Sequence, residues 1–138
     1  MVAASKYQDA VEQMWTAIHN LTAAGHVIKV VAHSDAPTLA TDDELADLTQ
    51  QAGSDGYTTG GEDTQNAMTE TGGTATWTSV DVVWTASGTW SAMRYISQHN
   101  DTSTTDKLLT TYDYGSNWTL SASETFTVDF GASTGTLV

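Results

Sequence analysis

The side chains able to do chemistry in this chain are four histidines, seventeen carboxylates and many serines and threonines, with no cysteine. Thiolate nucleophiles, disulfides and cysteine-held metals are therefore excluded. Histidine is the commonest zinc or iron ligand, and a pair at i, i+2 on a strand or i, i+4 on a helix is the usual sequence signal. His19, His26, His33 and His99 form no such pair. His26 and His33 lie an odd number of residues apart on one predicted strand, so they face opposite ways. No zinc or iron site is expected from this spacing.

Hard cations prefer oxygen, and Asp42-Asp43-Glu44, Ser54-Asp55-Gly56 and Glu62-Asp63 all concentrate it. None fits the twelve-residue calcium loop with its central glycine and closing glutamate. These acids read as solvated loop charge, and no cofactor is expected. Covalent and phosphate chemistry finds as little support. There is no Gly-x-Ser-x-Gly elbow, and Thr59-Gly60-Gly61 lacks the Lys-Ser/Thr step of a phosphate loop. Two of the carboxylates could converge as in a glycosidase, but nothing singles out a pair. The expectation is a protein that is not an enzyme. Asn20-Leu21-Thr22, Asn100-Asp101-Thr102 and Asn117-Trp118-Thr119 match the glycosylation acceptor pattern, in a chain so rich in threonine that chance supplies such matches.

Aromatic residues are the remaining means of recognition. Trp77, Trp84, Trp90 and Trp118 either present a sugar-stacking platform or fill a core. Trp84 shares a face with Val82 and Ala86, which favours core, while Trp90 follows the Ser87-Gly88 turn, where it is open to a subunit contact. Tyr57 is the one large side chain of the glycine-rich stretch 51–61, read as an exposed loop. Arg94, the only arginine, reads as the partner of a nearby carboxylate. Tyr57, Trp77, Trp90 and Arg94 are the candidate interface residues.

The elements that must position these residues are mostly short strands. A single helix is predicted over residues 5–24. Ser5-Lys6-Tyr7-Gln8 fits a capping box, Tyr7, Val11, Met14, Trp15, Ile18 and Leu21 recur at three- and four-residue steps, and Gly25 offers a left-handed stop. Residues 26–33 are a β-branched strand, ended by Ser34-Asp35-Ala36-Pro37. Thr41-Asp42-Asp43-Glu44 is a second possible capping box, for about two turns of helix through Leu48.

From Glu62 onward strands are predicted over 63–70, 74–79, 81–86, 91–99, 107–114, 118–121, 125–130 and 135–138. The strands over 81–86 and 91–99 are read as meeting at Ser87-Gly88. Phe126, Val128 and Phe130 alternate with Thr125, Thr127 and Asp129, the mark of a half-buried antiparallel strand. Leu108, Thr110, Tyr112 and Tyr114 share a face by the same rule. Threonine-rich runs such as 74–78 suit a solvated sheet surface. The chain reads as one domain: an antiparallel β-sandwich (jelly-roll-like) over 26–138, with one N-terminal amphipathic α-helix.

Charge narrows the partners. Seventeen acidic residues against four basic ones give a net charge of −13, and Lys6, Lys29, Arg94 and Lys107 are scattered. Nucleic acid and anionic membranes both demand clustered cations. No apolar run is long enough to span a bilayer, and the first residues lack the layout of a signal peptide. Such charge opposes compaction unless salt screens it, and the Debye length falls to about 3 Å at 1 M. A halophilic source is expected.

The helix ending His19-Asn20-Leu21, the loop Gly56-Tyr57-Thr58-Thr59-Gly60-Gly61 and a series of second-half segments together resemble a known group. Those segments are Asp81-Val82-Val83-Trp84-Thr85-Ala86-Ser87-Gly88, Arg94-Tyr95, Asn100-Asp101-Thr102, Tyr112-Asp113-Tyr114-Gly115 and Glu124-Thr125-Phe126-Thr127-Val128-Asp129-Phe130. They are similar to small virion structural proteins of tailed bacteriophages and tailed archaeal viruses. The resemblance covers most of the chain and carries no catalytic motif. It implies a β-sandwich subunit on the capsid as decoration, cement or spike base, or else a tail or baseplate component. Its partners would then be the major capsid protein or tail proteins, in a homo-oligomer such as a trimer or pentamer, with assembly in the host cytoplasm. A carbohydrate-binding sandwich for host attachment is the expectation from a different class.

Overall fold

A computed structural model describes residues 3–131; the predicted strand over 135–138 lies outside the described residues. The architecture is an antiparallel β-sandwich with one N-terminal helix. Strands β1 (Ala4–Lys6), β2 (Ile28–His33), β3 (Glu62–Asp63), β7 (Met93–Asn100) and β8 (Lys107–Trp118) form a five-stranded sheet in the order β1-β8-β7-β2-β3. Two small sheets lie apart from it: β4 (Ala67–Thr71) with β5 (Thr74–Thr78), and β6 (Val82–Thr85) with β9 (Thr125–Val128).

The large sheet is covered on both faces. On one face Val30, Ala32, Ile96 and Tyr112 pack with Val82, Trp84, Val128 and Phe130 from the β6–β9 region. Towards the other end of that face, Ile28 and Leu109 pack against Trp77 of β5 and against Leu21. The opposite face is closed by Tyr7, Ala10, Leu45 and Leu48 over Val31 and Leu108. The alternation in β6 and β9 predicts these sides correctly: Val82 and Trp84 are buried, Val83 is exposed, and Val128 and Phe130 are buried. β4 and β5 are joined through Gly72 and Gly73, both at positive φ (61° and 85°), the geometry a two-residue hairpin loop needs and glycine allows.

Several boundaries differ from the sequence expectation. The helix, α1, spans only Gln8–Trp15. Ser5 does not cap it: this residue lies in β1 opposite Thr111, and Tyr7 is the extended N-cap. Thr16 Oγ1 donates back to the Glu12 carbonyl, and Ala17 turns left-handed at φ 60°, so the helix stops well before Gly25. Gly25 serves close packing instead, because a Cβ there would collide with Asn20. The early stop also leaves Trp15 in solvent rather than in the apolar stripe.

The second helix reduces to a single 3-10 turn, Leu45–Asp47, whose capping box is Glu44 with Asp47 and not Thr41 with Glu44. β6 and β7 do not pair with each other across Ser87-Gly88. β6 takes β9 as partner, and β7 takes β2 and β8. The stretch 118–121 adds no separate strand; Trp118 ends β8.

Two irregularities redirect side chains in the large sheet. Gln98 is paired with Thr110 and His99 with Leu108, which leaves Leu109 as an extra residue. Leu108 therefore joins the core under α1, away from Tyr112, while Leu109 packs with Trp77. A second shift between Met93 and Tyr95 turns Met93 onto the face of Ile96.

Candidate functional site

Three of the four candidate interface residues are interior. Tyr57, Trp77 and Trp90 are 4%, 1% and 1% exposed. The stretch 51–61 is a largely exposed loop, as expected, but Tyr57 itself turns inward between Trp84 and Trp90, with ring centroids 5.8 and 5.3 Å away, and its hydroxyl accepts the Ala32 amide at 3.3 Å. Burial pushes the Tyr57 phenol well up, so it stays protonated. Trp90 donates its indole N–H to the Asp55 carbonyl at 2.9 Å, which ties the 51–61 loop to the core. These residues are packing anchors, since a ring with no open face has nothing to offer a partner or a sugar. Trp118, half-buried, lies flat on Phe126 at 4.0 Å.

Arg94 sits where the sequence reading puts it, against a carboxylate. Nε and Nη2 bond the two oxygens of Asp113 at 2.7 and 2.8 Å, and the guanidinium lies 5.2 Å from the Tyr95 ring centroid. The Arg94 bond, helped by the Gly115 amide, pulls the Asp113 carboxyl down to about 2. Lys107 likewise bonds Asp43 and Glu44 at 2.7 and 2.8 Å, and Lys29 bonds Asp101 at 2.9 Å.

The topology also assembles polar clusters that spacing does not announce. In the first, His33 Nε2 meets Ser97 Oγ at 2.8 Å, His33 Nδ1 lies 3.0 Å from the Asp35 carbonyl oxygen, and Ser97 Oγ contacts Tyr7 Oη at 3.0 Å. The order Ser–His–Asp resembles a triad, but His33 is held by the Asp35 backbone carbonyl, with the carboxylate 3.6 Å away. Tyr7, His33 and Ser97 are all fully buried, so the hydroxyl has no path to a substrate. Burial also lowers the His33 proton affinity and raises the Tyr7 phenol to about 12. The cluster is a neutral, saturated network that joins α1 to the sheet.

In the second cluster, the Asn100 side-chain amide is shared among the Ile18 carbonyl, His19 Nδ1 and His26 Nδ1 at 3.0, 3.0 and 2.9 Å. His19 Nε2 meets Gln13 Oε1 at 2.8 Å. His26 therefore lies not on β2 but beside His19. In the third, a ring nitrogen of His99 and one carboxylate oxygen each of Asp101 and Asp106 lie within 4.8 Å of one another. The His99-x-Asp101 spacing is a signal the sequence does contain; Asp106 reaches the group only through the β7–β8 turn.

The exposed large apolar side chains lie elsewhere. Trp15 is 88% exposed, at the last residue of α1. Ile18 and Val27 are also open; the Ile18 carbonyl accepts from Asn100 at the end of β7, and the Val27 amide donates to Thr102 in the turn that follows. Trp15 is three residues from Ile18, so the three open side chains belong to one end of the molecule. Val80 and Val83 are open on β6 and just before it. A tryptophan this open on so charged a surface is the side chain most suited to anchor a partner. No described helix is long and apolar enough to cross a membrane. No family model, no curated protein and no solved structure matches the chain.

Proposed function

We propose that this chain is a structural subunit of a tailed-virus particle, seated on the capsid lattice as a decoration or cement protein or as a spike base, with no reaction of its own. The resemblance of its segments to small virion proteins supports this reading. The observation that carries it is Trp15, an almost fully open indole with Ile18 and Val27 at the same end of a sandwich whose large sheet is covered on both faces. A large ring of low conformational entropy on a rigid frame is what an interface centre is built from. The acidic surface keeps such subunits dispersed and away from packaged nucleic acid. In a capsid the subunits would sit as symmetric oligomers, trimers or pentamers, matching the lattice axes.

The test is co-sedimentation of the purified protein with empty capsids of the virus that encodes it, alongside a sizing column. Binding at a regular stoichiometry is expected, and Trp15→Ala should weaken it more than about tenfold, as loss of a central aromatic does. The variant should keep its thermal midpoint, because Trp15 packs little against the fold. Failure to bind capsids, with binding to isolated tails instead, would move the chain to the tail or baseplate. A glycan-array signal would favour host attachment, a reading from which burial removes Trp77 and Trp90 as sugar platforms.

A further inference from the structure

We infer that His99, Asp101 and Asp106 form a binding site for one divalent transition-metal ion of the Zn2+ kind. The site is independent of any particle and rests on the geometry where β7 runs into the β7–β8 turn. A ring nitrogen of His99 and one oxygen from each carboxylate lie within 4.8 Å of one another, close enough for one ion to span them with small side-chain movements.

The second observation is the state of His99 itself. The residue is fully buried, its Nε2 lies 3.0 Å from the Gly60 carbonyl oxygen, and its Nδ1 has no hydrogen-bond partner. Since a carbonyl only accepts, Nε2 carries the proton and Nδ1 holds a bare lone pair. A backbone carbonyl holding one ring N–H while the other nitrogen is left unpaired is the usual support behind a metal-bound histidine. Left without a cation, the same lone pair is a buried acceptor with nothing to accept, a costly arrangement.

The carboxylates are placed to complete the set. Asp101 gives Oδ2 to Lys29 at 2.9 Å, which leaves Oδ1 for an ion and fixes the side chain. Asp106 is pinned by its backbone, which accepts the Leu45 amide at 3.0 Å and donates to Ser103 at 3.3 Å. Its carboxylate takes part in no hydrogen bond among the described residues. Two carboxylates, one ammonium and a neutral imidazole leave a net charge that favours a dication. The imidazole selects against calcium and magnesium, which take oxygen, and for zinc and its neighbours in the first transition row. Three protein ligands leave further positions open, here towards a cleft of about 580 Å³ lined by Glu44, Gln50, Gly60 and Thr105 as well as the two aspartates. An ion there would hold water or a partner's side chain.

The test is titration of the full-length, chelator-stripped protein with ZnCl2 by calorimetry near neutral pH, with 15N NMR of the histidine rings. One ion per chain is expected, with the largest shift at His99 Nδ1. Asp106→Asn is the informative variant, since asparagine tolerates the φ of 52° that Asp106 adopts and the fold should survive. It should weaken Zn2+ at least tenfold, and Asp101→Asn should do the same. Zn2+ should raise the thermal midpoint of the parent protein and not that of Asp106→Asn. Binding weaker than about 1 mM would overturn the inference. So would binding that both aspartate variants leave unchanged, for example a site at His19 and His26 removed by His26→Ala.

Discussion

The His19 pocket makes acid stability calculable. His19 is 5% exposed, and burial, followed by the proximity of His26, pulls its imidazole from 6.5 down to about 4. The neutral ring fits its neighbours: Nε2–H donates to Gln13 Oε1, and Nδ1 accepts from Asn100 Nδ2. Protonation would set an N–H against the Asn100 N–H, so the folded state resists it. The folded value lies below the unfolded one, so the unfolded chain takes up the proton first as pH falls. The stabilisation is therefore complete above pH 6.5 and is lost between 6.5 and about 4.

That gap corresponds to about 3 kcal/mol, at 1.36 kcal/mol for each pH unit. Acid also relieves the repulsion of an anionic chain, so the term must be isolated by difference. His19→Asn keeps an acceptor near the Nδ1 position and does not titrate. Urea unfolding of both proteins in EDTA from pH 7.5 to 4 should show the parent losing about 3 kcal/mol more than the variant. Parallel curves would refute the reasoning, as would an NMR titration placing His19 at its ordinary value.

Two further outcomes follow from backbone and charge. Gly72→Ala should cost about 1 kcal/mol, since the position is left-handed but faces open space. Gly61→Ala should cost clearly more, because a Cβ there runs into the Val30 carbonyl; equal thermal midpoints for the two variants would contradict this packing. With a net charge of −13, raising NaCl from about 0.1 to 2 M should raise the unfolding midpoint by screening self-repulsion, and a flat response would remove the halophilic reading.

What could be read beforehand was whatever obeys a local period. Trp84 between Val82 and Ala86, and Phe126 with Val128 and Phe130, announce their buried sides through alternation, and their sheet honours it. The Arg94 ion pair follows from scarcity: one of four cations among seventeen acids finds a carboxylate. Period fails where the chain breaks it without a signal. The extra residue at Leu109 sends Leu108 to the opposite core from Tyr112, and nothing in Leu108-Leu109-Thr110 marks it. The helical stripe runs on past Trp15 in sequence, yet Thr16 and Ala17 end the helix through bonds and dihedrals that composition hides. Tyr57 is surrounded by loop formers, and only the cavity between Trp84 and Trp90 explains why it turns inward. The polar clusters are less legible still: His33 meets Ser97 across the β2–β7 pairing, and His19 meets Asn100 from the loop after α1, contacts that no short window contains.

The pairing of β1 with β8 bears on synthesis. Residues 4–6 find their partners at 110–112, and the Tyr7 hydroxyl waits for Ser97. A ribosome adds about 5–20 residues each second, so the first strand emerges roughly five to twenty seconds before anything it can pair with. During that interval the nascent chain holds Val30, Trp77 and Trp84 without their later partners on β7, β8 and β9. Closure is thus a late, long-range event in which β7 and β8 emerge in succession and join β1 to β2 and β3. Chains stalled or cut before β8 would lack the strand between β1 and β7, and would be the species a chaperone or protease meets.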